Sequence, residues 1–258
     1  VTTLSTLWQP ASGCGDACRP GDAPRARTWT AGFRLAGMAL VMLAGIPAVA
    51  LLGGPAVRWL ARTLLAALGV NLVQRGPVPR PGSLLVANHI SWIDILVLIA
   101  VSPVRLVAKH DVRGWPGIGA TAGRSGTIFI DRTRPRDLPA TVEEVAGALR
   151  SGRSVAAFPE GTTFCGAEHG RFRPALFQAA IDAGAPVVPT SITYDSTEAA
   201  FIGRDTLVDS LLRVARVRRL TITVITAPAL RPMPGADRKA LARAAERSMG
   251  GHGYRLAA

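Results

Sequence analysis

The stretch that most restricts this chain runs from Leu35 to Val57, LAGMALVMLAGIPAVALLGGPAV, with no charged residue between Arg34 and Arg58. A bilayer crossing needs roughly 20 consecutive apolar residues, and this run reaches that length. It lies too far from the first residue, and is too long, for a standard signal peptide. Pro47 in its middle and Gly53-Gly54-Pro55 near its end interrupt it as a straight helix. The segment that follows, VRWLARTLLAALGVNLV, sets Arg58, Trp59 and Arg62 among apolar residues in the pattern of an interfacial helix. One spanning helix and a helix pair dipping into one leaflet both fit. Arg25, Arg27 and Arg34 precede the apolar run, and Arg58, Arg62 and Arg75 follow it, so the positive-inside rule assigns no orientation. A re-entrant pair accounts for that symmetry, because both ends then meet the same anionic leaflet. A helix buried in a protein core is the remaining reading.

The chain has 258 residues, enough for one large domain or a domain with an appendage, and for a sizeable core. It is 48% hydrophobic yet carries a formal charge of +13. Basic and apolar together point to an anionic surface: phospholipid, nucleic acid or a phosphorylated substrate. Aromatic residues are only 5%, which argues against stacking platforms and hence against nucleic acid as the partner. Residues 1–30, rich in Gly, Pro, Ala and Arg, read as a loose leader, and residues 31–74 as the membrane-associated helical segment. The three cysteines, Cys14, Cys18 and Cys165, are too few and too odd in number for a disulfide framework. They are taken as reduced thiols and not as a metal site, and Cys165 with His169 as loop residues.

After the proline-punctuated linker RGPVPRPG (Arg75 to Gly82), strand-like and helix-like runs alternate over 80–258. SLLVA, VRLVA, GTIFI, SVAAFP, PVVPTSITY and LTITVITAPAL read as strands. SWIDILVLIAV, RDLPATVEEVAGALRSG, RPALFQAAIDAGA and GADRKALARAAERSM read as helices, with Gly152 closing the second and Pro174 near the first turn of the third. The pattern predicts an α/β domain, a central mixed sheet flanked by helices, with the hydrophobic helix pair ahead of it. No internal repeat is present.

NHISWID, Asn88 to Asp94, joins the first of these strands to the first of these helices. Ser91-x-x-Asp94 can be a capping box, with His89 merely at a strand end. The same geometry lets a carboxylate in the first helical turn hold one ring nitrogen of His89 protonated and leave the other as a base. The helix N-terminus adds backbone N–H groups for an anion. Three more strands end in polar residues where ligands gather in α/β sheets: GTIFIDR at Asp131–Arg132, FPEGTT at Glu160–Thr163, and the VVPT stretch ending at Thr190.

In this order and spacing the four stretches resemble the blocks of the glycerolipid acyltransferase family, which includes the 1-acylglycerol-3-phosphate acyltransferases: Asn-His-x-x-x-x-Asp, Gly-x-x-Phe-x-x-Arg, Phe-Pro-Glu-Gly-Thr and a Val-Pro block. The resemblance covers about residues 80–195 and implies site roles. His89 would be the general base and Asp94 its orienting partner. Arg132 would hold the acceptor phosphate, and Glu160, Gly161 and Thr162 would shape the acceptor site. Lys109, in RLVAKHD, is either a further phosphate contact or a solvated lysine. Pro189 is structural. The reaction implied is direct acyl transfer from an acyl-CoA or acyl carrier protein thioester to a lysophospholipid hydroxyl, with no metal, no other cofactor and no acyl-enzyme. The place implied is the cell membrane, with the site on its cytoplasmic face.

One position departs from the family. An arginine often follows Glu-Gly-Thr, and Thr163 stands there instead. Arg171 or Arg173 would supply the missing charge-assisted contact. Otherwise the acceptor is not lysophosphatidic acid but another lysolipid, such as lyso-ornithine lipid, or a glycolipid. A thioester hydrolase and a non-catalytic lipid-binding protein are the readings from other classes, and the intact His–Asp pair argues against the second.

Overall fold

The computed structural model describes residues 10–21, 23–115 and 117–250. The outer residues of the loose leader, and residues 251–258 of the domain expected over 80–258, lie outside the described residues. Seven strands form one sheet: β1 (Val70–Arg75), β2 (Leu84–Ala87), β3 (Val104–Lys109), β4 (Ile128–Ile130), β5 (Ser154–Ala157), β6 (Val187–Tyr194) and β7 (Leu220–Thr226), in the order β1-β7-β6-β2-β5-β3-β4. All neighbours run parallel except β6 and β7, so the sheet is mixed, as the sequence predicts. Parallel strands covered on both faces read as unbroken apolar runs. β2 shows why: Leu85 and Ala87 enter one core while Leu84 and Val86 enter the other, and all four are fully buried.

On the first face lie α2 (Gly54–Ala67), α3 (Ile93–Val101) and α7 (Leu207–Ala215), contributing Leu65, Val97, Leu98 and Val214. On the second lie α5 (Leu138–Arg150), α6 (Ala175–Ala183) and α8 (Arg238–Gly250), contributing Val145, Leu149, Phe177, Ala180, Ala245 and Met249. The short helix α4 (Ile118–Arg124) and α7 were not expected. α7 begins where Thr206 accepts the Asp209 N–H, a cap the surrounding loop chemistry hides in the sequence.

The N-terminal hydrophobic segment is α1 (Thr28–Leu52) followed by α2. α1 runs through Pro47 without ending and stops at Gly53, whose φ of 67° and ψ of −136° suit glycine alone and reverse the chain. α1 is long and apolar enough to cross a membrane, and only 17% of its most apolar stretch is buried. Trp29, Phe33, Leu40, Leu43, Leu51 and Leu52 are exposed along it.

α2 is the second helix of the expected pair. It buries Ala56, Val57, Leu60, Ala61, Leu64 and Leu65 against α1 and α3, and the Nε atoms of Arg58 and Arg62 both donate to the Ala100 carbonyl, 3.2 and 3.1 Å away. They satisfy an orphan acceptor in the last turn of α3. Arg34 likewise donates to the carbonyls of Ala215 and Val217 at the end of α7. Three of the six arginines that made the flanking charge symmetric therefore donate to backbone carbonyls of the protein itself. Beyond Ala67 the chain turns and becomes β1, an edge strand paired with β7, so the helical reading of 70–73 is corrected. Apolar Val70 and Leu72 are compatible with either period, and only pairing with β7 decides.

The described part of the leader, 10–21 and 23–27, is packed and not loose. Cys14 is buried, Ala26 N–H donates to Arg216 O and Arg218 N–H to Pro24 O, and Arg19 bridges Asp16 and Asp205, each at 2.6 Å. Gly/Pro-rich composition says only that such a segment cannot build its own core. It can still be held by distant residues.

Candidate active site

Parallel orientation puts the C-terminal ends of β2, β4 and β5 on one edge of the sheet, and the polar stretches of the sequence follow these ends. Asn88 closes β2: its side chain donates to Ile192 O at 2.9 Å and accepts from Ile192 N–H at 2.8 Å, imitating a further ladder pair with β6. His89 comes next, in the turn that enters α3.

Asp94, fully buried in the first turn of α3, is the centre of the arrangement. Its Oδ2 accepts from His89 Nδ1 at 2.9 Å, from Ile90 N–H at 2.6 Å and from Ser91 N–H at 2.8 Å. Its Oδ1 accepts from the Tyr194 hydroxyl. The carboxylate half of the capping box and the His–Asp pair thus coexist in one group. A carboxylate is an acceptor only, so Nδ1 carries the proton and Nε2 is the basic nitrogen. The imidazole stacks on Phe158, with centroids 4.0 Å apart and planes 14° from parallel. Burial pushes the Tyr194 phenol well above its ordinary pKa, and the neighbouring Asp94 adds to this, so Tyr194 stays a donor.

Glu160, at the end of β5, is 3% exposed. Its Oε2 accepts the His89 backbone N–H at 2.6 Å and its Oε1 the Gly170 N–H at 3.0 Å. Burial raises its pKa to about 8 against the pull of those two hydrogen bonds, and the Asp94 charge raises it further. Glu160 therefore fixes the backbone of the histidine and the far end of its own loop. Phe164 N–H donates to His89 O at 2.8 Å and closes the same connection.

Gly161 follows at φ 79°, and a Cβ there would stand 2.8 Å from Pro10 Cγ. Its carbonyl accepts from Nη1 of Arg132, which is half-buried just past β4. No carboxylate among the described residues pairs with Arg132. Burial lowers its pKa and the nearby Arg173 charge lowers it further. Two guanidinium groups thus converge on the turn beside the histidine.

An Acyltransferase family model matches residues 69–193. A lyso-ornithine lipid O-acyltransferase of Pseudomonas aeruginosa is 38% identical over 198 residues, which cover 74% of this chain and 75% of that relative. The chain belongs to the glycerolipid acyltransferase family. A 1-acyl-sn-glycerol-3-phosphate acyltransferase of Neisseria meningitidis is 37% identical over 64% of this chain and 68% of its own length. Among solved structures, the 1-acyl-sn-glycerophosphate (LPA) acyltransferase PlsC of Thermotoga maritima superposes with a TM-score of 0.60 over 75% of each chain, at 20% identity, which shows a shared fold.

The acyltransferase does not gather every residue singled out in its sequence. His89, Asp94, Arg132, Glu160 and Gly161 come together. Arg173 joins them through the Gly161 turn, with its Cδ 3.6 Å from the position of a Gly161 Cβ. Thr162 is half-buried on the same turn. Lys109 ends β3 beside Ile130, but its ammonium is paired with Asp111. Arg171 is exposed. Thr163 donates its hydroxyl to Phe201 O, tying the loop to the segment after β6. Asn88, Phe158 and Tyr194 were missed as site residues. The run ending in Tyr194 carried one usable signal, since a phenol at the end of a buried strand needs a partner.

Proposed function

We propose that this acyltransferase moves a fatty acyl group from an acyl-CoA or acyl carrier protein thioester to the free hydroxyl of a lysophospholipid. The observation that carries the reading is His89 held by fully buried Asp94, beside a half-buried Arg132 that no carboxylate among the described residues pairs with. His89 Nε2 takes the acceptor's hydroxyl proton as its oxygen attacks the thioester carbonyl. The carbon–sulfur bond breaks, the ester forms, and the imidazolium returns the proton to the departing thiolate. Asp94 keeps Nδ1 protonated and compensates the imidazolium, while Tyr194 and two backbone N–H groups hold the carboxylate still. Glu160 positions the histidine through its backbone. Arg132 and Arg173 together favour an anion next to Gly161, because an anion there relieves both their mutual repulsion and the burial of Arg132.

The acceptor favoured by that charge is 1-acylglycerol-3-phosphate, giving phosphatidic acid. A second reading has support of its own: Thr163 is neutral and already bonded to Phe201 O, and a relative named as a lyso-ornithine lipid O-acyltransferase aligns over three quarters of its length. In that reading the acceptor carries no phosphomonoester. The enzyme would work at the cell membrane, α1 in the bilayer and the site on the cytoplasmic side.

The test incubates purified protein with acyl-CoA and with acyl carrier protein thioesters against a panel of lysolipids and identifies the products by mass. Parent and Thr163→Arg are compared. On the phosphate reading, lysophosphatidic acid is acylated by both. Activity of the parent on lyso-ornithine lipid alone, abolished in Thr163→Arg, overturns the choice of acceptor. Acyl release without any lysolipid product overturns transferase chemistry.

A further inference from the structure

The chain contains three cysteines, and the fold brings all three to one place. Cys14 and Cys18 come from the N-terminal segment, around the short 3-10 turn Asp16–Cys18. Cys165 comes from the loop after β5 that also carries Gly161 and Thr163. The three sulfur atoms lie within 4.8 Å of one another, and none is in a disulfide. Cys14 and Cys165 are buried and Cys18 is half-buried. Two backbone donors are aimed at the sulfurs: Cys165 N–H at Cys14 Sγ, 3.3 Å, and Glu168 N–H at Cys165 Sγ, 3.4 Å. Contacts of this kind offset thiolate charge and orient thiolate ligands.

A disulfide would use two of these sulfurs and leave the third without a role. Packing as small hydrophobes accounts for buried thiols, but not for three converging from two segments far apart in sequence. Around a tetrahedral zinc ion with Zn–S bonds of about 2.3 Å, thiolates stand about 3.8 Å apart. The observed separations need close by no more than about 1 Å to reach that spacing. We propose that Cys14, Cys18 and Cys165 bind one thiophilic metal ion, zinc, through three thiolates, with a water at the fourth corner. The ion clips the N-terminal segment onto the loop of the candidate active site.

Its place in the fold gives the ion a structural task. Pro10 stands directly against Gly161, and Phe164, next to Cys165, holds the His89 carbonyl. An ion joining Cys165 to Cys14 and Cys18 therefore fixes the turn on which Arg132 and Glu160 converge. The metal takes no part in the proton transfer, and the proposal stands on the cysteines whichever acceptor the enzyme uses.

The test uses the full chain in detergent, purified with a thiol reductant and no chelator. Elemental analysis should find a single zinc per chain, and a mercurial reagent should release it as the three thiols react. Loading with Co2+ should give thiolate-to-cobalt charge transfer and the bands of a tetrahedral site. Cys14→Ser and Cys165→Ser should each lose the stoichiometric metal. The parent's own metal content keeps the test decisive even where a variant folds poorly. Absence of bound zinc after incubation with equimolar Zn2+ and desalting overturns the proposal. So does a disulfide between two of these cysteines in protein taken directly from cells, or zinc retained by the triple serine variant.

Discussion

Glu160 should make the protein less stable as pH rises through neutrality. Burial lifts its pKa from the ordinary 4.5 to about 8, so the folded protein favours the protonated acid while the unfolded chain releases the proton. A raised folded value means that the associated stability is fully present below the unfolded pKa. It is lost progressively as pH climbs from 4.5 toward 8. At pH 6 the folded state holds the proton and the unfolded chain does not. At pH 8 the folded carboxyl is half ionised. Between those two points the contribution falls by about 2 kcal/mol, from RT ln of the ratio of the two binding polynomials. For a chain of this size that corresponds to a melting temperature lower by about 4–8 °C. Thermal unfolding in detergent, followed by near-UV circular dichroism at pH 6, 7 and 8, reads the slope directly. Glu160→Gln cannot ionise and should give a nearly flat profile. It should start about 1 kcal/mol lower at pH 6, because an amide NH2 cannot accept one of the two backbone N–H groups, His89 or Gly170, that the carboxyl serves. Parallel slopes for parent and variant would refute the account of a buried neutral acid, as would a parent that gains stability toward pH 8.

His89→Ala should lower transfer by about 10²–10⁴ while the melting temperature stays near that of the parent, measured as acyl transfer and unfolding on one preparation. Asp94→Asn should lower activity too, and should destabilise by more than the ~1 kcal/mol of a lost cap, because four donors converge on the carboxylate. Tyr194→Phe removes one of those donors, so about 1–3 kcal/mol of stability should go and the acidic limb of the pH–kcat/KM profile should move; an unmoved profile makes Tyr194 a packing residue only. Arg132→Ala should raise the acceptor KM by about tenfold or more, from a charge-assisted contact of roughly 1.5–3 kcal/mol, with a smaller change for the thioester, and initial-rate kinetics in both substrates checks the split.

The mixed sheet and the His89–Asp94 pair were legible because each rests on a local pattern: apolar runs of strand length, and a histidine and carboxylate spaced by the turn between β2 and α3. Arg132, Glu160 and Gly161 were legible as strand-end residues, since parallel strands deliver their C-terminal ends to one edge. The rest depended on partners far along the chain. Arg58 and Arg62 look like interfacial arginines until Ala100 O is known to face them. Val70 to Val73 continue an apolar run, and only β7 makes them a strand. Composition marked residues 10–27 as loose because it cannot register an ion pair to Asp205 or a hydrogen bond to Arg216 O. Tyr194 carried no motif, and its role appears only once β6 places its hydroxyl over Asp94.

The place of β1 in the sheet has a consequence for synthesis. β1 has a single neighbour, β7, and pairs with it from Val70–Leu220 to Arg75–Ile225. On a ribosome the chain emerges from its N-terminus, so α1, α2 and β1 leave the tunnel long before residue 220 exists. Through that interval β1 is an unpaired edge, an aggregation hazard in water. If α1, exposed and apolar, lies in the bilayer as proposed, its early insertion would park the nascent chain there and hold β1 apart from other chains while the inner strands form. Completion then waits for β7 to arrive between β6 and β1, antiparallel to one and parallel to the other. On that proposal a ribosome stalled before Leu220 would display an anchored chain with an open sheet, and release of the last segment would be the event that seals the fold.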